Sequence, residues 1–277
     1  MPAADFKQRY TLSARLLSGP SKRRPMLRLE PGVRFLVAHD TGNPGSTAAN
    51  NVAYYERSRN EMSASAHLFV DDKDILECIP ALTAPPEKAW HVRYAVEADD
   101  RLFGHDANDA AIGVEYCYGG RIDADEAYRK YVWTLALLCH RFGLDAQKIT
   151  GHCFLDPGRK TDPVTGLADS RRSFEQLLRD VTQEIALCTA PEGAAEPRPA
   201  LIGTLEGGTA RVLARVNLRR GLPSRMAPIV RTLQPGAEIR YVRSVDNGEP
   251  VNGNARWYCD ENGDYYWSGA VSVTSSN

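Results

Sequence analysis

The order of apolar runs in this chain of 277 residues predicts an α/β domain whose sheet is flanked by helices, followed by a small β-barrel. Two observations carry that expectation. Up to about residue 188, strand-like runs are interleaved with stripes of helical period; beyond residue 204 the runs are short and broken by turn signals. Between them, Thr189–Thr204 (TAPEGAAEPRPALIGT) is rich in Pro, Ala and Glu and reads as a linker.

In the first part, Arg34–His39 (RFLVAH) has the composition of a buried strand, and Thr47–Arg59 reads as a helix after a Gly/Pro turn at 43–45. Ser65–Val70 and Ile75–Ile79 are strand-like, with Asp71–Asp74 as a hairpin turn, and Ala111–Cys117 is a further strand. The clearest helix runs over Ala124–Phe142. Its apolar residues Ala127, Tyr131, Leu135, Leu138 and Phe142 recur at steps of three and four, Asp123 caps its start and Gly143 ends it. A last helix over Arg171–Leu187 carries Phe174, Leu177, Leu178, Val181 and Ile185 on one stripe. In the second part the expected strands are Arg211–Val216, Ile229–Leu233, Glu238–Val245, Arg256–Tyr258 and Tyr265–Ser268. Turns are expected at Gln234-Pro235-Gly236, Asp246-Asn247-Gly248, Asn252-Gly253 and Glu261-Asn262-Gly263.

Charge is balanced overall and uneven locally. Residues 1–33 hold seven Lys and Arg against two Asp and Glu, residues 34–188 hold 17 against 24, and residues 205–277 hold nine, all Arg, against seven. No concentrated basic face of the nucleic-acid-binding kind emerges, so no nucleic-acid partner is expected. Residues 1–33 are expected to form a basic, solvated arm. No apolar run approaches the roughly 20 residues of a membrane span, and the N-terminus lacks the apolar core of a secretory signal. Synthesis in the cytoplasm is therefore expected, with action there or on a wall after release. The six cysteines, at 78, 117, 139, 153, 188 and 259, form neither a C-x-x-C pair nor a zinc ribbon and read as reduced, buried thiols.

Three side chains stand where a metal site would need them. His39 ends the first strand, His152 follows Gly151 in a loop beyond the long helix, and Asp162 lies ten positions later. Two imidazoles and one carboxylate make a three-ligand zinc site with a fourth position open. Spacing alone leaves other readings standing: each His also fits a histidine bonded to a backbone carbonyl, and Asp162 before Pro163 fits a turn.

Five motifs change the balance: FLVAHDTG at 35–42, SASAHLFVDDKDILECIP at 63–80, KAWHV at 88–92, NDAAIGVEYC at 108–117 and GHCFLDPGRKTDP at 151–163. In this order they resemble the N-acetylmuramoyl-L-alanine amidase family, which includes phage lysozyme-type amidases, muropeptide-recycling amidases and peptidoglycan recognition proteins. The resemblance covers residues 34–170 and sets a catalytic domain at 34–188. It implies a mixed central sheet flanked by helices, with Zn2+ as cofactor and peptidoglycan or a muropeptide as substrate. His39, His152 and Asp162 match the family's zinc ligands. Glu115 matches the acid that helps activate the attacking water, and Lys160 the cation beside the developing oxyanion. His67, Trp90, His91 and Asn108 match positions that line the groove or orient ligands. The chain departs from the pattern at Asp40, Cys153 and Val164. Cys153 and Cys117 open a rival reading, a cysteine nucleophile paired with a histidine. His105 and His140 fall in no motif.

Residues 205–277, through VNLRRGLPSRMAPIVRTLQPGAEIRYV at 216–242 and the aromatic run ending at Trp267, resemble bacterial SH3-like domains. That resemblance implies a wall-binding module, its Tyr and Trp serving either as contact surface or as barrel core. The whole chain reads as a zinc amidase of polymeric wall, of endolysin or autolysin type. The alternatives are a cytosolic amidase recycling anhydro-muropeptides, a non-catalytic peptidoglycan receptor and a cell-wall cysteine peptidase.

Overall fold

The computed structural model describes residues 6–190, 203–204, 207–221, 223–225 and 227–274. The chain divides into two compact units, residues 1–197 and 198–277. Apart from its first two and last two residues, the linker expected at 189–204 lies outside the described residues.

The first unit is built from strands β1 (Leu12–Ala14), β2 (Phe35–Asp40), β3 (Leu68–Val70), β4 (Ile75–Glu77), β5 (Ala111–Tyr116) and β6 (Ile149–Gly151). Its helices are α1 (Ala48–Arg57), α2 (Ala98–Phe103), α3 (Ala107–Ala110), α4 (Ala124–Phe142), α5 (His152–Leu155), α6 (Val164–Asp169) and α7 (Phe174–Thr189). The strands form one mixed sheet in the order β1-β4-β3-β5-β2-β6. Only the β3–β4 hairpin is antiparallel. Its turn is held by Asp71, whose carboxylate accepts from the backbone N–H groups of Lys73 and Asp74 at 2.7 Å. Helices pack on both faces of the sheet, completely on one and partly on the other, which is why β2 and β5 read as nearly unbroken apolar runs.

The two-residue alternation of a strand sorts side chains between the faces. Leu36, Ala38, Ile112, Val114, Leu68 and Val70 point into the core closed by α4 and α7. On α4, Ala127, Tyr131, Leu135 and Leu138 are fully buried against them. The helix is capped as its sequence predicts: Asp123 accepts from the N–H groups of Asp125 and Glu126, and Gly143 ends it with φ of 66°. Alternate residues of the same strands, Phe35, Val37, His39, Gly113, Glu115 and Phe69, belong to the opposite face. There α1, α2 and α3 cover only part of the sheet. The functional candidates on β2 and β5 are on this incompletely covered face.

Several elements differ from expectation. Residues 6–33 are not a solvated arm. Strand β1 extends the sheet beside β4, Leu17 and Leu29 are core residues, and Arg23 is 1% exposed. Basic composition hid this because the few apolar side chains of the segment find distant partners: Phe6 and Tyr10 pack on Trp133 of α4, and Leu17 joins the cluster formed by α1 and the hairpin. His152 opens a helical turn, α5, rather than lying in a loop. Short strands and helices such as β6, α2 and α6 carry too few residues to show a period.

The second unit contains β7 (Gly203–Thr204), β8 (Gly208–Val212), β9 (Val216–Arg220), β10 (Ile229–Leu233), β11 (Glu238–Tyr241), β12 (Arg243–Val245), β13 (Trp257–Cys259), β14 (Asp264–Trp267) and β15 (Val271–Thr274). They form two antiparallel sheets, β10-β9-β14-β13-β12-β7 and β11-β8-β15. The run expected at Glu238–Val245 divides into two strands of different sheets, and Val216 starts a strand of its own. Trp257, Tyr265 and Tyr266 are at most 2% exposed, so these aromatics are core and not contact surface.

Packing of the N-terminal segment has a measurable consequence. Leu17→Ala is expected to destabilise the first unit by about 2–5 kcal/mol in urea unfolding. A solvated arm would give no change in midpoint.

Candidate functional site

His39 is the fifth residue of β2, and β6, the neighbouring parallel strand, leads directly into His152 at the start of α5. The chain then loops through Asp156–Thr161 and returns, with the Cys153 N–H bonded to the carbonyl of Asp162 at 2.8 Å. Asp162 thus faces both rings. Its Oδ2 lies 2.8 Å from His39 Nδ1 and 3.2 Å from His152 Nδ1. No two of the three donor atoms are more than 4.8 Å apart. Donors around a tetrahedral ion with bonds of roughly 2.0–2.1 Å stand about 3.3 Å apart. The cradle therefore has the right size and donor chemistry to hold a metal ion, and His152 Nε2 is buried with no partner among the described residues.

The protonation states agree with that use. Burial pushes His39 down to about 4, against the raising influence of Asp162, so its ring is neutral and keeps a lone pair. Burial alone would raise Asp162, but hydrogen bonds from His152 and His39 override it and hold the carboxyl well below the usual range. His91 orients His39 from the other side, its Nδ1 3.1 Å from His39 Nε2. Burial, followed by the neighbouring histidines, keeps His91 neutral as well. This close approach requires Gly113. A Cβ there would stand 2.8 Å from the His91 ring and 3.3 Å from His39 Nε2. A glycine inside the strand AIGVEY was the available signal for such an approach.

Glu115 pairs in register with His39 across β2 and β5. Burial, then the carboxylates of Asp162 and Asp40, raise its pKa well above the ordinary value, with Lys160 pulling the other way. Its Oε2 has no hydrogen-bond partner among the described residues. Glu115, Lys160 and the three cradle residues line one cavity of about 350 Å³. Two further cavities adjoin it. One, of about 670 Å³, shares Trp90, His91, His152, Arg159 and Lys160 with it and adds Arg93, Tyr94 and Asn108. The other, of about 410 Å³, shares Thr41, Tyr55 and Glu115 and adds polar residues from the start of α1 and the loop before it. The site therefore sits partway along a groove.

The remaining candidates separate. Trp90 and His91 line the groove. Asn108 is 1% exposed and its amide is spent on backbone: Oδ1 accepts from His91 and Val92 N–H at 2.9 and 3.1 Å, and Nδ2 donates to the Val92 carbonyl. It holds the His91 loop rather than offering a free group. His67 does not contact the groove. It is fully buried, its Nε2 bonds the carbonyl of Glu87 at 2.9 Å, and its Nδ1 accepts the Gly113 N–H at 3.0 Å. The expected substrate contact is corrected to a backbone brace. Asp40, unusual in the motif, accepts from Gly42 and Gly166 N–H and ties β2 to α6. Sequence reasoning missed Tyr55, Arg93, Tyr94 and Arg159 because they lie outside the motifs or beside better-marked neighbours.

The cysteine reading fails on chemistry. Burial raises both Cys117 and Cys153, the reverse of what a thiolate nucleophile needs. Cys117 Sγ accepts from Asn51 Nδ2 at 3.7 Å, and no histidine is hydrogen-bonded to it among the described residues.

Comparison with known proteins agrees with this arrangement. Residues 29–165 match the family profile described as N-acetylmuramoyl-L-alanine amidase. The chain is 31% identical over 170 residues to N-acetylmuramoyl-L-alanine amidase CwlL of Bacillus licheniformis, covering 57% of this chain and 45% of that one. It is 34% identical over 132 residues to N-acetylmuramoyl-L-alanine amidase BlyA of Bacillus subtilis (strain 168), covering 44% of this chain and 34% of that one. It spans less than half the length of either. The crystal structure of Staphylococcus aureus hydrolase AmiA in complex with its ligand superposes with a TM-score of 0.52 at 18% identity, over 65% of this chain and 86% of that one, and shares the fold. The first unit of this chain belongs to the N-acetylmuramoyl-L-alanine amidase family.

Proposed function

We propose that this chain is a zinc-dependent N-acetylmuramoyl-L-alanine amidase that hydrolyses the amide between the lactyl group of muramic acid and L-alanine in peptidoglycan. The observation that carries the reading is the meeting of His39, His152 and Asp162 in one cavity with Glu115 and Lys160. His39, His152 and Asp162 are the residues that would hold zinc. When bound there, zinc supplies Lewis acidity and lowers the pKa of water towards ~7.

The chain's own groups account for the rest. Glu115, with its raised pKa, takes the proton of the attacking water and passes it to the alanyl nitrogen as that amine leaves. Lys160 places its charge beside the amide oxygen, favouring the tetrahedral arrangement over the planar substrate. His91 fixes the ring of His39, and Asn108 fixes the backbone of His91. One water is consumed; a lactyl carboxylic acid and a free alanine amine are formed.

The groove continues past the site on both sides, which suits a substrate attached at both ends. We therefore favour polymeric wall over small recycled fragments, and propose the second unit as an SH3-like module that holds the enzyme on that wall. With its Trp257 and its Tyr265–Tyr266 pair committed to the core, the contact surface would come from other side chains.

Digesting purified sacculi and soluble muropeptides separately, with mass spectrometry of the products, tests the reading. New L-alanine amino termini are expected, most rapidly from sacculi. Cleavage within the stem peptide, or binding of zinc-loaded protein without cleavage, would overturn it, and preference for small fragments would move the chain to the recycling class. His152→Ala is expected to lose bound zinc, measured as metal content after dialysis. Glu115→Gln is expected to retain zinc while kcat falls by about 10²–10⁴; undiminished turnover would remove the role given to Glu115. Lys160→Met is expected to lower kcat by about 10²–10³ with zinc content unchanged.

A further inference from the structure

Arg23 lies six residues before the segment matched by the amidase profile and belongs to none of the motifs. It is 1% exposed, and none of the ion pairs found among the described residues includes it. Its charge is met by π faces and by neutral oxygens. The guanidinium carbon stands 4.3 Å from the ring centre of Tyr55 and 5.2 Å from that of Tyr54. Nε and Nη2 donate to Ser58 Oγ at 3.1 and 2.8 Å, and Nη1 donates to the carbonyl of Ala64.

These contacts reach both sides of the groove. Tyr55 lines the central cavity and the arm beyond Glu115. Ala64 lines the central cavity and the opposite arm, and the next residue, Ser65, is bonded twice to the backbone of Trp90, at 3.0 Å each way. One planar cation thus ties the end of α1 to the strip that supports Trp90. A fork of donors in a fixed plane sets a separation in a way that a flexible ammonium does not. The backbone of Glu115, by contrast, is held by strand pairing with β2 and β3, and no hydrogen bond or ion pair joins its side chain to Arg23 among the described residues.

We propose that Arg23 is a positioning residue of the groove, which sets the spacing of its walls through Tyr55 and Ala64 and so governs how tightly the substrate is held. The proposal rests on the amidase reading for its substrate. Its signature is a split: KM rises while kcat stays near that of the native protein, because the walls move and the chemistry on β5 does not.

The test uses the full chain loaded with zinc and a soluble muropeptide. Arg23→Lys keeps charge and most of the volume but loses the fork. It is expected to raise KM about tenfold with kcat within about threefold. The same substrate is expected to bind about tenfold more weakly to Glu115→Gln/Arg23→Lys than to Glu115→Gln, by direct titration. Tyr55→Leu is expected to reproduce the rise in KM, and the double variant Arg23→Lys/Tyr55→Leu to add little to either single change. These variants decide the matter if Arg23→Ala does not fold. An unchanged KM in folded Arg23→Lys would overturn the proposal, as would a fall in kcat that merely tracks the folded fraction, or additive effects with Tyr55→Leu. Failure of the native protein to release L-alanine amines would instead remove the amidase reading.

Discussion

One oxygen of Asp162, placed between two imidazoles, is the interaction around which the first unit is arranged. Its partners lie 123 and 10 residues away in the chain, so neither contact is local in the ordinary sense. Three features must hold for it to form. Strands β2 and β6 must be parallel neighbours, so that His39 and His152 leave the sheet at the same end. The loop after α5 must return far enough for the Cys153 N–H to bond the Asp162 carbonyl. The space above β5 must also stay empty of side chain at Gly113, or His91 could not support His39. Each condition concerns the backbone, and each is met by ordinary pairing or by the absence of a Cβ.

The same sheet supplies the electrostatic contrast that the chemistry needs. Register puts His39 beside Glu115, yet the two acids of the site are driven in opposite directions. Asp162 accepts from both rings and is held anionic, whereas Glu115 has an unpartnered oxygen, is buried, and sits near two other carboxylates. The division of labour proposed for the two carboxyl groups, one a ligand and one a proton carrier, would rest on this contrast: hydrogen bonds from two rings on one side, burial beside other carboxylates on the other.

Much of this was legible because it repeats at short range. The α4 stripe, its Asp123 cap and its Gly143 stop are all encoded within twenty residues, and the strand–turn–strand run through Asp71–Asp74 needs no distant partner. His39, His152 and Asp162 stand in motifs and do converge in the fold, but spacing alone does not separate such a cluster from a braced histidine. His67 shows why. It shares a strand-like motif with the candidates, yet both of its nitrogens are taken by backbone groups of Glu87 and Gly113, which only the folded chain brings near. Asn108 is a similar case, a polar side chain on the groove wall whose hydrogen bonds are spent in holding the His91 loop.

The N-terminal basic run shows the limit more sharply. Lys22, Arg23 and Arg24 are adjacent and of one charge, and composition treats them alike. In the folded chain Lys22 is exposed, Arg23 is enclosed by two tyrosines and three neutral oxygens, and Arg24 forms a two-pronged ion pair with Glu87 at 2.8 and 2.9 Å. Glu87 in turn accepts the His67 ring through its backbone carbonyl. A planar cation is accommodated in the interior where all three of its nitrogens donate and its face is stacked, and those partners come from the end of α1 and from the strip before β3, elements some 30 to 40 residues further on. The segment that reads as a loose charged arm therefore reaches, through two side chains, both the wall of the groove and the His67 brace beneath Gly113 and His91.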